Sequence, residues 1–247
     1  MQPLEIRNHA LELVAAGIND YEIARRLGVP RTTVRDWRNP RYAPKRTGRV
    51  PCHRCWQPGA PVVLDAGDYA ELLGIYLGDG CISSGPRTER LRIFLDAKHA
   101  TIVAETEMLL RRCFPENRVG RGSRHHGRMA VLSVYTRHLS CLFPQHGPGK
   151  KHERPIVLED WQASLCADAP WRLLRGLIRT DGCVFVNRTG RYEYLSYAFC
   201  NISQDILDLF ERTCVELGMR PRRTGRDVRL NRREDVARML EYVGTKE

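Results

Sequence analysis

One nine-residue pattern occurs twice, and it limits the folds open to this chain more than any compositional total. Leu72 to Gly80 reads LLGIYLGDG and Leu174 to Gly182 reads LRGLIRTDG, so Gly74 and Gly176, and likewise Asp79 and Asp181, stand 102 residues apart. Both copies run G-x-x-x-x-D-G and continue into Cys, then Ile or Val. Read as helices, the first copy gathers Ala70, Leu73, Gly74, Leu77 and Gly78 on one face, and the second Leu173, Gly176, Leu177 and Thr180. Small residues four apart leave two backbones room to approach, so the expectation is a pair of helices touching along these faces, the seam between two equivalent halves. Each helix is expected to stop at its Asp-Gly, with Gly80 and Gly182 as left-handed caps.

That placement sets two carboxylates at the negative ends of helix dipoles, at a cost of some tenths of a kcal/mol each, and close enough to repel one another. A cation is expected between them. Mg2+ held by Asp79, Asp181 and the backbone carbonyls of Gly78 and Thr180 answers the charge with hard oxygen ligands, and beside a phosphodiester it would polarise phosphate and activate water. The competing expectation is that each aspartate caps a turn or pairs with an arginine.

The segments after the two copies are parallel as well. CISSG, ERLRIFLDAK and a helix over TIVAETEMLLRRCF succeed the first; CVFVNRTG, RYEYLSYAFC and a helix over SQDILDLFERTCVELG succeed the second. Two further short strands and a closing helix, RHLSCLF or REDVARMLEYV, complete each unit. The expected fold is α+β, two αββαββα repeats over residues 65–157 and 158–247. Arg90, Arg92 and Phe94 alternate with Leu91, Ile93 and Leu95, and Tyr192 and Tyr194 less regularly with Leu195 and Tyr197. Each sheet is thus expected to turn an apolar face to helices and a polar, basic face outward. Arg121, Arg124 and Arg128 in one half and Arg191, Arg223, Arg226 and Arg229 in the other extend that basic face toward a duplex.

Residues 1–40 have a different grammar. Apolar Ala10, Leu11, Val14 and Ala15 give a first helical stripe, Gly17 stops it, and Asn19 or Asp20 caps a second helix through Ile23, Ala24 and Leu27. Gly28 makes the corner before a third helix with Val34 and Trp37 inward. This is a helix-turn-helix pattern, which leaves Arg31, Thr32, Thr33, Arg35 and Arg38 on the face that meets base edges and phosphates. Residues 41–64 form a basic, Pro- and Gly-rich linker in which Arg46 can track a nucleic-acid backbone. Cys52 and Cys55 in PCHRCW have the spacing of half a Zn2+ site, and the chain has no second CxxC to complete it.

Composition agrees with a polyanionic partner: 40 Lys and Arg against 29 Asp and Glu give a formal charge of +11 in 247 residues. Nine scattered cysteines argue against a disulfide framework. No apolar run reaches membrane length and the first residues lack a signal-peptide pattern, so a cytoplasmic protein, nucleoid-associated when on DNA, is expected.

With LLGIYLGDG and LRGLIRTDG at this separation, residues 65–247 resemble a monomeric, two-repeat LAGLIDADG (dodecapeptide) homing endonuclease. The resemblance implies a single chain with internal pseudo-twofold symmetry that cuts both strands of double-stranded DNA with Mg2+, and makes Asp79 and Asp181 catalytic. It also implies basic and polar helpers, for which Lys98, Lys150 or Lys151, and Gln204 are the matching positions. Leu77 and Arg179 depart from the family's interior aspartate. The alternative implied by the same likeness is a helix-turn-helix regulator carrying a homing-endonuclease-like domain that binds DNA without cutting it. A recombinase or transposase suits the first forty residues, but no serine or tyrosine constellation accompanies the repeats.

Overall fold

The computed structural model describes residues 4–38, 65–85 and 88–246. Arg46, Cys52, Cys55 and the rest of the connector lie outside them. The chain divides into two compact units, residues 1–49 and 50–247.

The described residues of the first unit form three helices, α1 (Leu4–Ala15), α2 (Asp20–Leu27) and α3 (Arg31–Arg38). Asn19 caps α2 by accepting the Glu22 N–H at 3.0 Å, and Gly28 ends it in the left-handed region at φ 64°. Ala10, Ile23, Val29 and Val34 are the buried centre, with Ile6, Leu13, Val14, Ala24 and Trp37 packed around it. Leu11 is exposed, so the stripe on α1 runs through Ile6, Ala10 and Leu13 rather than through Leu11. Positions 6 and 13 are two helical turns apart, a face that Leu11 does not share.

The second unit is α+β and built twice over. In order it is α4 (Ala66–Asp79), β1 (Gly80–Ser84), β2 (Glu89–Asp96), α5 (Ala100–Cys113), β3 (Gly120–Arg124), β4 (Met129–Thr136) and the single turn α6 (Leu139–Leu142). After a 3-10 turn at Lys151–Glu153 and α7 (Asp160–Asp168) come α8 (Pro170–Asp181), β5 (Gly182–Thr189), β6 (Tyr192–Cys200), α9 (Gln204–Glu216), β7 (Arg222–Thr224), β8 (Asp227–Leu230) and α10 (Arg233–Tyr242). Both four-stranded antiparallel sheets have the same order, β1-β2-β4-β3 and β5-β6-β8-β7. Helix α7 has no counterpart among the described residues of the first half and was not among the expected elements. It is held by buried Gln162, whose Nε2 donates to the Tyr69 hydroxyl at 2.6 Å and to Gln145 Oε1 at 3.1 Å.

The motif helices α4 and α8 are the centre of the unit. Tyr69 through Leu77 are buried without interruption. A Cβ on Gly74 would stand 2.7 Å from the Leu173 carbonyl, and one on Gly176 would collide with the Glu71 carbonyl. The glycine-lined seam is therefore backbone against backbone. Gly80 and Gly182 differ from expectation: both are extended, at φ −84° and −95°, and not left-handed. The helix turns straight into the strand at these points, and glycine is required because a Cβ would press on Tyr76 or Ile178 of the helix's last turn. Among the described residues, no helix is long and apolar enough to cross a membrane.

Candidate functional site

Because each motif helix becomes a strand without a loop, Asp79 and Asp181 sit where helix, strand and seam meet. A Cβ added to Gly78 would clash with Thr180 and lie 3.1 Å from Asp181 Oδ2, so the second carboxylate reaches across to the end of the first helix. Burial, reinforced by the Asp181 charge, pushes the Asp79 carboxyl up to about 6. Burial also raises Asp181, against the pull of Lys151, a hydrogen bond from Asn201 and the charge of Lys246.

Two lysines answer the helix ends. Lys151 Nζ donates to the carbonyls of Tyr76, Gly78 and Gly80 at 2.7, 2.6 and 3.0 Å. Lys246 Nζ donates to the carbonyls of Thr180 and, at 3.2 Å, Gly182. Each ammonium comes from the segment trailing its own half and closes the C-terminus of that half's motif helix, where a positive charge is favoured by the dipole. Burial drags Lys151 down to about 8 despite both aspartates nearby.

The pairing of acid with lysine is crosswise. Asp79 faces a cavity it shares with Lys98, Arg128, Thr180 and Lys246. Asp181 faces another, with Lys150, Lys151, Arg154, Asn201 and Arg226. Lys246 is the stronger cationic influence on Asp79, and Lys151 on Asp181. Each acid therefore looks at the ammonium that caps the opposite helix.

The expected metal ligands fare unequally. The carbonyls of Gly78 and Thr180, expected to help hold Mg2+, instead accept from the two lysines. The two carboxylates are hard oxygen donors of the class a divalent cation takes, and the charge of Asp181 adds to burial in raising Asp79. Among the described residues, no group of three or more His, Cys, Asp and Glu gathers at one point.

Other candidate residues are spread over distinct surfaces. Lys98 is exposed, paired with Asp96 at 3.0 Å on the rim of the Asp79 cavity, and Lys150 pairs with Glu153 at 3.5 Å beside Asp181. Gln204, at the start of α9, accepts from Arg223 at 2.6 Å and lines neither cavity. The strand registers put Arg90, Arg92 and Arg124 on the sheet face away from the helices, together with Tyr192, Tyr194 and Arg229 of the second half. Arg121 and Arg223 lie on the opposite, helix-facing side: Arg121 pairs with Glu107 of α5 at 3.6 Å, and Arg223 with Asp208 and Glu211 of α9. Alternation within strands three to five residues long sets no register by itself, and without a register every arginine looked outward. Arg128 and Arg226 stand at the β3–β4 and β7–β8 turns and line the two cavities; Arg191 is in the β5–β6 turn. In the first unit Arg31, Thr32 and Arg35 are exposed and Thr33 is half-buried, while Arg38 is held by Asp20 at 2.6 Å.

Two residues escaped the sequence reading. Lys246 lies in the short GTKE tail, whose only signal is its place after the last helix, matching Lys151 after the first half's last turn. Asn201, just past β6, donates Nδ2 to Asp181 Oδ2 at 2.7 Å.

The seam also carries charge. Buried Glu71 on α4 receives Arg172 and Arg179 of α8, each at 2.9 Å, and Glu105 of α5 receives Arg175 at 3.2 Å and Arg179. Shifted by the repeat of 102, Glu71 corresponds to Leu173 and Arg179 to Leu77, so the network exists in one direction only.

Residues 2–39 match the family described as a homeodomain-like domain. No curated protein matches the chain. Among solved structures, it is similar to the N-terminal LAGLIDADG domain of DUF199/WhiA, at 15% identity over 76% of this chain and 85% of that one, with a TM-score of 0.46. It is also similar to mesophilic variants of the homing endonuclease I-DmoI, at 18% identity, 72% and 89% coverage and a TM-score of 0.49. The homing endonuclease I-WcaI bound to its DNA recognition sequence is similar at 13% identity, 74% and 83% coverage and a TM-score of 0.48.

Proposed function

We propose that this chain is a site-specific DNA endonuclease in which residues 65–157 and 158–247 are two repeats of one cutting saddle, and residues 1–40 a helix-turn-helix that adds contacts through Arg31, Thr32, Thr33 and Arg35. The observation that carries this reading is the pair of crosswise acid–lysine pockets, Asp79 with Lys246 and Asp181 with Lys151, one for each strand of a duplex. Asp79 and Asp181 would hold a divalent cation, which when bound polarises the phosphate and makes a water molecule acidic enough to attack. Water adds to phosphorus, one P–O ester bond breaks, and the departing oxygen takes up the proton that water gives up. Lys151 and Lys246 offset the charge that grows on the phosphoryl oxygens. Asn201 keeps the Asp181 carboxylate aimed into its pocket, as outer partners of a ligating carboxylate do.

One observation favours binding without cutting: the Gly78 and Thr180 carbonyls are already engaged by ammoniums. On that second reading the lysines take over the charge-balancing role, and the chain is a DNA-binding regulator. The full chain, Asp79→Asn and Asp181→Asn are each incubated with a randomised duplex library and Mg2+. Double-strand cuts by the full chain, reduced to nicks or lost in either variant, support the endonuclease. Selective binding with no cuts overturns it in favour of the regulator.

A further inference from the structure

The close contact between α4 and α8 cannot tell one helix from the other. Each offers a glycine to its neighbour's backbone, Gly74 to Leu173 and Gly176 to Glu71, so shape alone would let α4 pack on a second α4, or α8 on a second α8. Charge separates them. In the ion pairs that join α8 to the first half among the described residues, the first half supplies every acid and α8 every arginine. Arg172 reaches Asp68 and Glu71, each at 2.9 Å. Arg175 reaches Glu105 at 3.2 Å and Glu71 at 3.7 Å, and Arg179 reaches Glu71 at 2.9 Å and Glu105.

No pair has a reverse. By the repeat of 102, Asp68 corresponds to Pro170, Glu71 to Leu173, Arg172 to Ala70, Arg175 to Leu73 and Arg179 to Leu77. Counted from the starts of α5 and α9, Glu105 corresponds to Leu209. Every charged position of the network therefore has an uncharged equivalent. Burial gives this its force: the Glu71 and Arg179 side chains are only 4% and 8% exposed. In two α4 helices packed the same way, each Glu71 would meet the other copy's Ala70, Leu73 and Leu77. In two α8 helices, each Arg179 would meet the other copy's Leu173. A buried charge without its counter-charge opposes such a pairing far more than a native ion pair supports its own. Asp68 adds little to the choice, because Arg112 of its own half holds it at 2.6 Å.

We infer that the seam is a pairing code with a direction: a first half accepts a second half, from its own chain or from another copy, and rejects another first half. The surface that chooses is the face of α4 bearing Glu71, with Glu105 beside it, and the partner that fits is a helix carrying arginines at the spacing of Arg172, Arg175 and Arg179. Unpaired buried charge in the wrong pairing, more than stability in the right one, makes the choice. The code goes beyond the reading proposed above and holds whether the chain cuts DNA or only binds it.

Full-length chains carrying Glu71→Lys with Glu105→Lys, or Arg175→Glu with Arg179→Glu, are refolded from denaturant singly and as an equimolar mixture. Light scattering after gel filtration gives their masses and thermal melts their stability. Each alone is expected to melt about 10 °C or more below the parent, as for buried ion pairs broken from one side. Mixed, the two satisfy both seams by exchanging halves, so a one-to-one complex that melts above either variant is expected. The chain with all four substitutions restores complementarity in reverse, and is expected to fold as a monomer and recover most of the lost melting temperature. Arg172 there loses Glu71 but retains Asp68.

Paired variants that melt with the parent, or a combined chain that melts no higher than its components, overturn the code. Dimers formed by either variant alone as readily as the mixed complex overturn its selectivity. A combined chain that recovers while the mixture yields no one-to-one complex overturns its reach to a second copy. If the paired variants fail to refold, the milder Glu71→Gln and Arg179→Gln, singly and together, carry the test. The double variant is then expected to lose less than the sum of the two, and strict additivity overturns the code.

Discussion

Asn201 Nδ2 lies 2.7 Å from Asp181 Oδ2, and its amide has only one way to face. Asn201 Oδ1 accepts the Ser203 N–H at 2.8 Å, and this fixes the nitrogen end of the amide toward the acid. The substitution Asn201→Asp sets a further carboxylate against Asp181 and removes the donor. Scission of the strand served by Asp181 is expected to fall roughly 10- to 100-fold, the usual loss on removing an outer partner of a ligating group. Asn201→Ala should fall less, and the strand served by Asp79 should be cut as before. Denaturing gels with each strand separately end-labelled measure the ratio; equal losses on both strands would count against the assignment.

Asp79 gives a prediction about stability. Its folded value, about 6, is above the ordinary carboxylate 3.8, so between those pH values the folded chain binds more protons than the unfolded one. Stability contributed at Asp79 is therefore lost as pH rises from about 4 to 6, and the charged form is a net cost at pH 7. Asp79→Asn should raise the unfolding free energy at pH 7 by roughly 2–3 kcal/mol, since one unit is about 1.4 kcal/mol. The gain should vanish below about pH 4. Thermal melts across that range decide it, and a variant less stable than the parent at pH 7 would show that Asp79 is stabilised, not strained.

Gly176→Ala should be among the most damaging small substitutions in the chain. The new methyl meets the Glu71 carbonyl and the backbone of Gly74 and Ile75, none of which can move without parting the helices. The expected loss is about 1–3 kcal/mol or more, the cost of overpacking a rigid interior. Gly122→Ala, on a strand with open space around its Cβ position, is the matched control and should be near neutral. Denaturant midpoints compare the two.

Glu71→Leu takes one acid from Arg172 and one from Arg179, which keep Asp68 and Glu105, so the loss should stay below the roughly 3–5 kcal/mol that breaking a buried ion pair from one side costs when nothing else compensates. Adding Arg179→Leu makes both positions resemble their equivalents, Leu173 and Leu77, and should restore part of the loss. Chemical unfolding of the single and double variants gives the coupling directly; strict additivity would mean the pair does not act as a unit.

The duplication made the architecture legible. Two copies of a helix with small residues four apart, each leading into alternating strands, leave little freedom except a seam of helices and a sheet per half, and that arrangement is present. Side-chain facing was legible only where strands were long. Arg90 and Arg92 alternate with three buried aliphatics, while Arg121 and Arg223 belong to strands of five and three residues whose register depends on neighbours remote in sequence. The site was half visible. Asp79 and Asp181 carry the repeat, but Lys246 and Asn201 reach it through tertiary folding from a tail and a strand end. Glu71, Arg172 and Arg179 were hidden because periodicity shows which face of a helix is small or apolar and says nothing about which charges will find each other across a seam.

With no loop between α4 and β1 or between α8 and β5, the acids have no slack. An inserted residue there would rotate a whole strand relative to its helix and carry the carboxylate with it, whereas the hairpin tips have already accepted a four-residue difference in length. Change in what this molecule touches can thus accumulate at the far ends of the hairpins, while the central geometry stays pinned by two glycines.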